Sequence, residues 1–406
     1  MKNEMPQHRS ALKSDCDITD TDMENSDKGV KCPDGRGKPG EIRGIITKGV
    51  GGLYTVRPDI GSDKVLLCRA RGVFRHEHIT PTVGDTVIIR RDDVYPDGDA
   101  GSEDNSYNDV NSDDTERGGI TNAGKRLNRL IGGRGIGRGA PSSVKRDIRC
   151  DGIITDILPR KNLLIRPPLA NADVIFVIIP VCRPQPDLFS ADKLLCITEH
   201  ADITPTVIIT KAELDAAEAG RIENIYRAAG FEVFVVSSAA DEGISELTDY
   251  IRSLGIGAVT AFAGVSGAGK STLLNKIFPS LSLVTGTLSH KIERGKQTTR
   301  HVELYAAAIN PLYGGGNVSA YVADTPGFSL LDFERFDFFS CEALPYTFRE
   351  FEPYIGHCRY TKCTHIQEDG CAVIAAVTDG IIPPERHKSY RELYAILKNK
   401  HPWDNK

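Results

Sequence analysis

The sequence predicts a multidomain α/β protein, and three observations lead to that prediction. Short β-rich runs separated by Gly, Asp and Pro begin at Glu41 and indicate a small antiparallel β-barrel. After Asn171, strand-like and helix-like segments alternate, which is typical of a parallel sheet with crossover helices on both faces. From about Asp332 the chain turns into aromatic and helical pieces that include a cluster of cysteine and histidine residues.

These patterns divide the chain into a polar tail, a barrel, a parallel-sheet domain and a C-terminal domain. The predicted bounds are 1–40, 41–170, 171–335 and 336–406. The tail shows no apolar period, so we expect it to be disordered. About 92–149 interrupts the barrel with an acidic half and a basic, Gly-rich half, and the β-rich runs DGIITDILP and KNLLIRPP after it predict the last strands of the barrel. We expect this insertion to be disordered as well, because it buries too little apolar surface.

The basic half of the insertion leaves two interpretations open: it contacts RNA phosphates, or it pairs loosely with the acidic half.

Composition excludes several classes of protein. With 406 residues, 40% hydrophobic and a net charge of −5, the chain resembles an ordinary globular protein rather than a collagen-like, wholly disordered or disulfide-scaffold chain. The longest apolar run, Asp173–Cys182, has about half of the ~20 residues that a membrane-spanning helix needs. The N-terminus lacks the apolar core of a secretory signal. Ten cysteines then indicate a reducing compartment, and we expect a cytoplasmic protein with no membrane partner.

A phosphate-binding loop is predicted at Gly264–Ser271, because GVSGAGKS matches G-x-x-x-x-G-K-[ST] at every fixed position. The β-rich AVTAFA precedes it and the helix-forming STLLNKIF follows it, as this motif requires. Lys270 would bind the β- and γ-phosphates, and the Ser271 hydroxyl would bind Mg²⁺. The residues assigned to phosphate binding are Gly264, Val265, Ser266, Gly267, Ala268, Gly269, Lys270, Ser271 and Thr272.

A second phosphate-side element, DTPG at Asp324–Gly327, follows the strand-like SAYVA. At the end of a strand downstream of a phosphate loop, Asp324 would hold Mg²⁺ through water. The Gly327 N–H would contact the γ-phosphate.

Base recognition is predicted at TKAE, which resembles the [NT]-K-x-D element of GTPases. The carboxylate of Glu213 would accept the two adjacent donors of guanine, and Lys211 would stack on the base. An ordinary helix start is the alternative, since Thr before Glu is also a capping pattern. The position after a strand and before the base-closing VSSAADEG favours guanine. The residues assigned to the base side are Thr210, Lys211, Glu213, Ser237, Ser238 and Ala239.

The order of these elements is unusual. Common GTPases carry the phosphate loop first and the base-reading elements last, and here the order is reversed. The sequence therefore predicts a circularly permuted G domain, in which the segment after Asp324 leads directly into the C-terminal domain.

A metal site is predicted by the spacing C-x4-C-x-H-x5-C. Three thiolates and one imidazole complete a tetrahedral zinc set and leave no position for a bound water, so we expect one structural zinc ion. The ligands would be Cys358, Cys363, His365 and Cys371.

Together these features resemble the ribosome small-subunit-dependent GTPase A family of bacterial ribosome-assembly factors, over about 41–91 and 150–400. The motifs that carry the resemblance are GGLYTVRP, RGVFR, VGD, RPPLANAD, ERGKQTTRHVEL, DTPGFSL, CRYTKCTHIQEDGCAV and RHKSYREL. The resemblance implies an OB-fold barrel, a circularly permuted P-loop GTPase domain and a mainly helical zinc domain. It also implies that the protein binds the small (30S) ribosomal subunit and its 16S rRNA in late assembly. GTP hydrolysis to GDP would be stimulated by the subunit and followed by release. We expect a monomer.

The barrel offers an open face to RNA. Its candidate contacts are Arg43, Lys48, Tyr54, Arg69, Arg71, Phe74 and Arg75. For each of these residues alone, a solvated surface charge or an aromatic side chain in the core is the favoured alternative.

Two positions depart from the family pattern. Glu213 stands where the guanine-reading acid is normally Asp, and Gln297 stands where the family often carries His. We expect Gln297 to position the attacking water, as Gln does in other GTPases, with contact to RNA alone as the alternative. Thr298 or Thr299 would bind Mg²⁺. The catalytic candidates are therefore Lys270, Gln297, Thr298 and Thr299. Two other functions stay open: a nucleotide-gated rRNA-binding checkpoint with weak catalysis, and an ATPase.

Overall fold

The computed structural model describes residues 40–59, 64–76, 79–91, 150–281, 302–309, 319–324 and 339–399. The predicted disordered tail, apart from Gly40, and the predicted insertion lie outside these ranges. The four domain bounds stay predictions.

The described residues form thirteen β-strands and seven α-helices. The strands are β1 (Glu41–Val50), β2 (Leu53–Pro58), β3 (Leu66–Ala70), β4 (Thr86–Arg91), β5 (Gly152–Ile157), β6 (Leu163–Leu164), β7 (Leu169–Ala170), β8 (Val174–Pro180), β9 (Thr204–Thr210), β10 (Glu232–Val236), β11 (Val259–Gly264), β12 (Glu303–Ala308) and β13 (Ser319–Asp324). The helices are α1 (Val73–His76), α2 (Leu188–His200), α3 (Ala216–Ala228), α4 (Ile244–Ser253), α5 (Lys270–Ile277), α6 (Ala372–Thr378) and α7 (Pro384–Lys398).

The N-terminal strands close into a five-stranded barrel, which confirms the predicted class. The order is β1-β2-β3-β5-β4, and β4 pairs back onto β1. Alternate side chains such as Val87 and Ile89 are fully buried, as expected for strands around a small core. The VGD motif has a structural role: the buried carboxylate of Asp85 accepts two hydrogen bonds from the Arg160 guanidinium, at 2.7 and 2.8 Å. This bidentate pair fixes the start of β4 to the chain that follows β5.

One sequence interpretation of the barrel is wrong. The run KNLLIRPP was expected to supply a last barrel strand, but β6 pairs only with β7 in a separate two-stranded sheet. Pro167 and Pro168 have no N–H to donate to a strand ladder, so the chain turns after Leu164 instead of extending.

The second domain is a six-stranded sheet in the order β10-β9-β8-β11-β13-β12, parallel except for β12. All seven residues of β8 are buried. Its side chains alternate between two cores: Val177 packs in the core that includes α2 and α3, and Phe176 packs in the core that includes α4 and α5. Helices therefore cover both faces, as in other parallel sheets. The strands β8, β9 and β10 precede β11 in the chain, which agrees with the predicted permutation.

The barrel and the parallel sheet join edge to edge. Lys48 of β1 lies opposite Glu303 of β12, and their side chains form an ion pair at 2.8 Å. The connection between the domains is also fixed, because the Asn171 amide donates to the Gly84 carbonyl at 2.9 Å. Asp173, at the entry to β8, accepts from the Val259 N–H at 2.8 Å. The RPPLANAD segment thus connects both domains by hydrogen bonds.

A buried side chain of the C-terminal domain helps to pack it on the helices of the second domain. The fully buried guanidinium of Arg386, on α7, pairs with Asp192 of α2 at 2.5 Å and with Glu350 at 2.7 Å. Its carbon centre lies 4.6 Å from the Phe348 ring centroid and 5.3 Å from that of Phe231. Burial alone would lower the pKa of Arg386, but the two carboxylates raise it well above its usual value, so the side chain is charged.

Replacing Arg386 with Met should lower the free energy of unfolding by about 3–5 kcal/mol, because two buried carboxylates lose their common partner. Urea unfolding followed by far-ultraviolet circular dichroism measures this change. Lys388→Met on the same helix is the matched control, since Lys388 is exposed. Equal unfolding midpoints for the two variants would contradict a structural role for the buried pair.

Candidate nucleotide and metal sites

The phosphate loop leaves the sheet at the end of β11 and ends at the start of α5. Gly269 has φ +92°, a conformation that favours glycine, and it lies directly before the helix. The Lys270 ammonium lies inside the loop, where it donates to the carbonyls of Gly264 at 2.7 Å and Val265 at 2.9 Å. Burial lowers its pKa. The loop therefore surrounds a lysine that a phosphate group could engage, beside the N-terminus of α5.

The TKAE segment is bonded to this loop. The buried hydroxyl of Thr210 donates to the Ala268 carbonyl at 2.7 Å, and the Lys211 ammonium donates to the carbonyl of Arg183. A Cβ placed on Gly269 would lie 4.0 Å from Lys211 Cε. The predicted base side and phosphate side are thus brought together by the fold.

Geometry also distinguishes the two interpretations of TKAE. The chain after Thr210 forms a short 3₁₀ helix at Ala212–Leu214 and then α3. Asp215 caps α3, since its carboxylate accepts from the Glu218 N–H at 3.0 Å. Thr210 is therefore not a helix cap. Glu213 lies on the exposed 3₁₀ turn, where its carboxylate is open to a ligand. Guanine recognition by Glu213 stays a prediction.

The third nucleotide element follows β10 as a compact loop. Ser237 and Glu242 exchange two backbone hydrogen bonds, at 3.0 and 3.1 Å. Ser238 and Ala239 lie at the tip of this loop, at the same end of the sheet as the phosphate loop, because β9, β10 and β11 are parallel to one another through β8. This edge is where ligands bind in open α/β sheets.

Asp324 is the last residue of β13, which runs parallel to β11, so its backbone lies at that same edge. Its side chain lies outside the described residues, as do Gln297, Thr298, Thr299 and Gly327. Ser271 and Thr272 occupy the first turn of α5. The Mg²⁺ ligands and the role of Gln297 stay predictions.

The four predicted metal ligands come together in the C-terminal domain. Their ligand atoms all lie within 4.8 Å of one another. Cys358 Sγ is 3.8 Å from Cys371 Sγ and 3.5 Å from His365 Nδ1. Cys371 Sγ and His365 Nδ1 are 3.4 Å apart. Ligands around a tetrahedral ion at zinc–sulfur distances of ~2.3 Å are separated by about 3.5–3.8 Å. Cys358, Cys363, His365 and Cys371 therefore fit a four-coordinate zinc ion.

Burial of the cluster disfavours charge on its ligands. Burial raises the pKa of the Cys363 thiol to about 12 and lowers the pKa of His365. A neutral imidazole is ready to bind a metal, and the thiolates need a positive charge to form in this place.

Sequence reasoning missed the residues that shape the metal loop. The Glu368 carboxylate accepts from the N–H groups of Thr364 at 2.7 Å, Ile366 at 3.0 Å and Gln367 at 3.2 Å. Burial alone would raise the pKa of Glu368, but hydrogen bonds from the Thr364 hydroxyl and from backbone N–H groups lower it to about 2. His387 Nε2 of α7 donates to the His365 carbonyl at 2.8 Å. The motif CTHIQEDGC contains Glu368, but nothing in its spacing separates it from a surface acid.

Native protein should contain one zinc ion per chain, and Cys371→Ser should lose most of it because three ligands hold zinc less tightly than four. Metal content by inductively coupled plasma mass spectrometry measures this. Cys341→Ser is the control, since Cys341 lies outside the cluster. A stoichiometric metal content in Cys371→Ser, or none in the native protein, would contradict the assignment.

Within the described ranges, no α-helix combines the length and apolar character needed to cross a membrane.

Two family models match the chain. The RsgA GTPase model matches residues 157–334, and the RsgA N-terminal domain model matches residues 43–95. The first covers the segment from the end of β5 to DTPG and beyond, and the second covers most of the described barrel strands.

Curated relatives are similar over most of their length. A protein of Ruminiclostridium cellulolyticum named small ribosomal subunit biogenesis GTPase RsgA is 36% identical over 88% of this chain and 94% of its own. One of the same name from Caldanaerobacter subterraneus subsp. tengcongensis is 33% identical over 88% and 97%.

Two solved structures share the architecture. YjeQ from Thermotoga maritima has a TM-score of 0.62 at 25% identity, and covers 89% of this chain and 100% of its own. YloQ, described as a circularly permuted GTPase, has a TM-score of 0.57 at 29% identity, and covers 89% and 96%. With its closed barrel, permuted sheet, phosphate loop and Cys₃His cluster, the chain belongs to the RsgA GTPase family.

Proposed function

We propose that this protein hydrolyses GTP to GDP and phosphate, and that it acts in late assembly of the small ribosomal subunit. The observation that carries the proposal is the hydrogen bond from Thr210 to Ala268, which joins a T-K-x-E turn to a complete phosphate loop. The names of the curated relatives support the ribosomal role. We expect a cytoplasmic monomer that binds 16S rRNA.

Phosphate binding would begin with Lys270. Its ammonium now donates to two carbonyls of the loop, and the phosphate oxygens of GTP would compete for it. The loop N–H groups and the N-terminus of α5 would add donors to the same oxygens. Mg²⁺, bound by Ser271 and through water by Asp324, would neutralise charge on the phosphates. These groups stabilise the charge that develops as water attacks the γ-phosphorus.

The base would be held by three contacts. The Glu213 carboxylate would accept from guanine N1–H and the exocyclic amine, and the Lys211 stem would stack on the ring. Arg183 supports this arrangement, because its carbonyl holds the Lys211 ammonium. Adenine offers no such pair of donors, which favours GTP over ATP.

The RNA-contact candidates of the barrel differ in their surroundings. Arg43 pairs with Asp59 at 2.9 Å, and Lys48 pairs with Glu303. Phe74 is buried in the barrel core, so it packs inward instead of stacking on RNA, and that assignment is wrong. Arg71 is exposed and keeps its place as a candidate.

Lys270→Ala should reduce GTP turnover by at least about 100-fold, because charge stabilisation at the phosphates is lost. Phosphate release is measured with and without purified small ribosomal subunits, with ATP in parallel. We expect a large stimulation confined to GTP in the native protein. Lys388→Met, at an exposed position of α7, is the control for loss of a positive charge away from the loop.

Full subunit-stimulated turnover by Lys270→Ala would contradict the phosphate-loop assignment. Tight GTP binding without stimulation would favour a nucleotide-gated checkpoint, and equal competition by ATP would favour an ATPase.

Gln297→Ala should lower the stimulated rate of hydrolysis by about 10²–10³-fold while leaving the affinity for GTP within about twofold, because a water-positioning residue acts on the transition state. Single-turnover hydrolysis on the subunit measures the rate, and nucleotide titration measures the affinity. An unchanged stimulated rate would remove Gln297 from the chemistry and leave contact with RNA as its role.

A further inference from the structure

The base-closing loop, Ser237–Glu242, is constrained from within. Its two ends exchange backbone hydrogen bonds, and the buried Ser237 hydroxyl accepts from the Ala240 N–H at 2.9 Å. After the loop, Gly243 has φ +71°, and a Cβ there would lie 2.1 Å from the Val235 carbonyl oxygen. These hydrogen bonds and the tight turn at Gly243 therefore hold the internal shape of the loop.

An ion pair between described residues joins this unit to the phosphate-side helix. The Lys276 ammonium of α5 lies 2.6 Å from Asp241 Oδ1. The helix α5 begins at Lys270, so the base-closing loop is bonded to the same short helix that carries the phosphate-binding lysine. The side chains of Lys276 and Asp241 are 30% and 53% exposed, so salt can screen the pair.

We propose that Asp241 and Lys276 are positioning residues for guanine-nucleotide binding, and that their ion pair holds the base-closing loop at a fixed distance from the phosphate loop. This inference rests on the proposed function, since it needs a guanine nucleotide whose two ends occupy the two elements. A nucleotide binds more tightly when the subsites for its base and for its phosphates are already at the correct distance, because less of the protein must be ordered on binding. Without the pair, the loop must be ordered when the base binds.

An exposed ion pair limits the expected effect to about three- to fivefold in a dissociation constant. Asp241 has φ +63°, and Asn tolerates that conformation as well as Asp does, so Asp241→Asn removes the charge without straining the backbone. Lys276→Met removes the other charge and keeps a straight apolar side chain on the helix.

The test compares two ligands of the native protein and its variants. GDP spans both elements, whereas inorganic pyrophosphate reaches only the phosphate loop. We expect Asp241→Asn and Lys276→Met each to weaken GDP binding about three- to fivefold, mostly through faster dissociation, and to leave pyrophosphate affinity unchanged. In 1 M salt the difference from the native protein should vanish.

Two further variants complete the design. Asp249→Asn removes the exposed carboxylate that pairs with the mostly buried Arg252 on α4, at 2.7 Å, and this pair touches neither element, so GDP binding should not change. The double variant Asp241→Asn/Lys276→Met should bind GDP no more weakly than either single variant, because both remove the same contact.

Each outcome decides between the hypotheses. Unchanged GDP binding in both variants, or an equal loss for GDP and pyrophosphate, would overturn the positioning role. Additive losses in the double variant would overturn it as well. If the native protein bound pyrophosphate but not GDP, the proposed guanine function itself would fail, and that result is visible before any variant is made.

Discussion

The buried charge of Arg386 is the constraint on which the arrangement of the domains depends. A guanidinium removed from water is tolerated only where carboxylates and aromatic faces surround it, and Asp192, Glu350 and Phe348 supply them. Asp192 also accepts from the Tyr226 hydroxyl at 3.0 Å, so α2, α3 and α7 meet at one point. In this arrangement the C-terminal domain docks on the second domain with the buried guanidinium paired to two carboxylates.

The helix α2 connects the charged network around Arg386 to the phosphate loop. Asp192 faces the C-terminal domain, while Ser190, Ala191 and Leu194 line a small cavity with Gly264 and Val265. The metal loop is connected to the same network from the other direction, because His387 of α7 holds the carbonyl of His365. One helix therefore packs against the phosphate loop and against the domain that carries the metal cluster.

Local patterns were enough to predict most of the fold and much of the site. GVSGAGKS and C-x4-C-x-H-x5-C specify their chemistry within a few residues, and strand–helix alternation indicates a parallel sheet whatever its order in the chain. The class of fold and the family are confirmed. The prediction that KNLLIRPP forms a barrel strand is wrong, because alternating hydrophobicity does not say which sheet a strand joins. The prediction that Phe74 contacts RNA is wrong, because the sequence does not distinguish an aromatic side chain in a core from one on a binding face.

The sequence by itself determined which residues are candidates for binding phosphate, guanine and zinc, because those properties belong to side chains and to short backbone motifs. Only the tertiary structure decided how they are held. Thr210 and Ala268 are 58 positions apart, and Arg386 and Asp192 are 194 apart. No local period encodes such pairs. They follow from strand order and helix packing, which depend on burying the apolar faces of many elements at once.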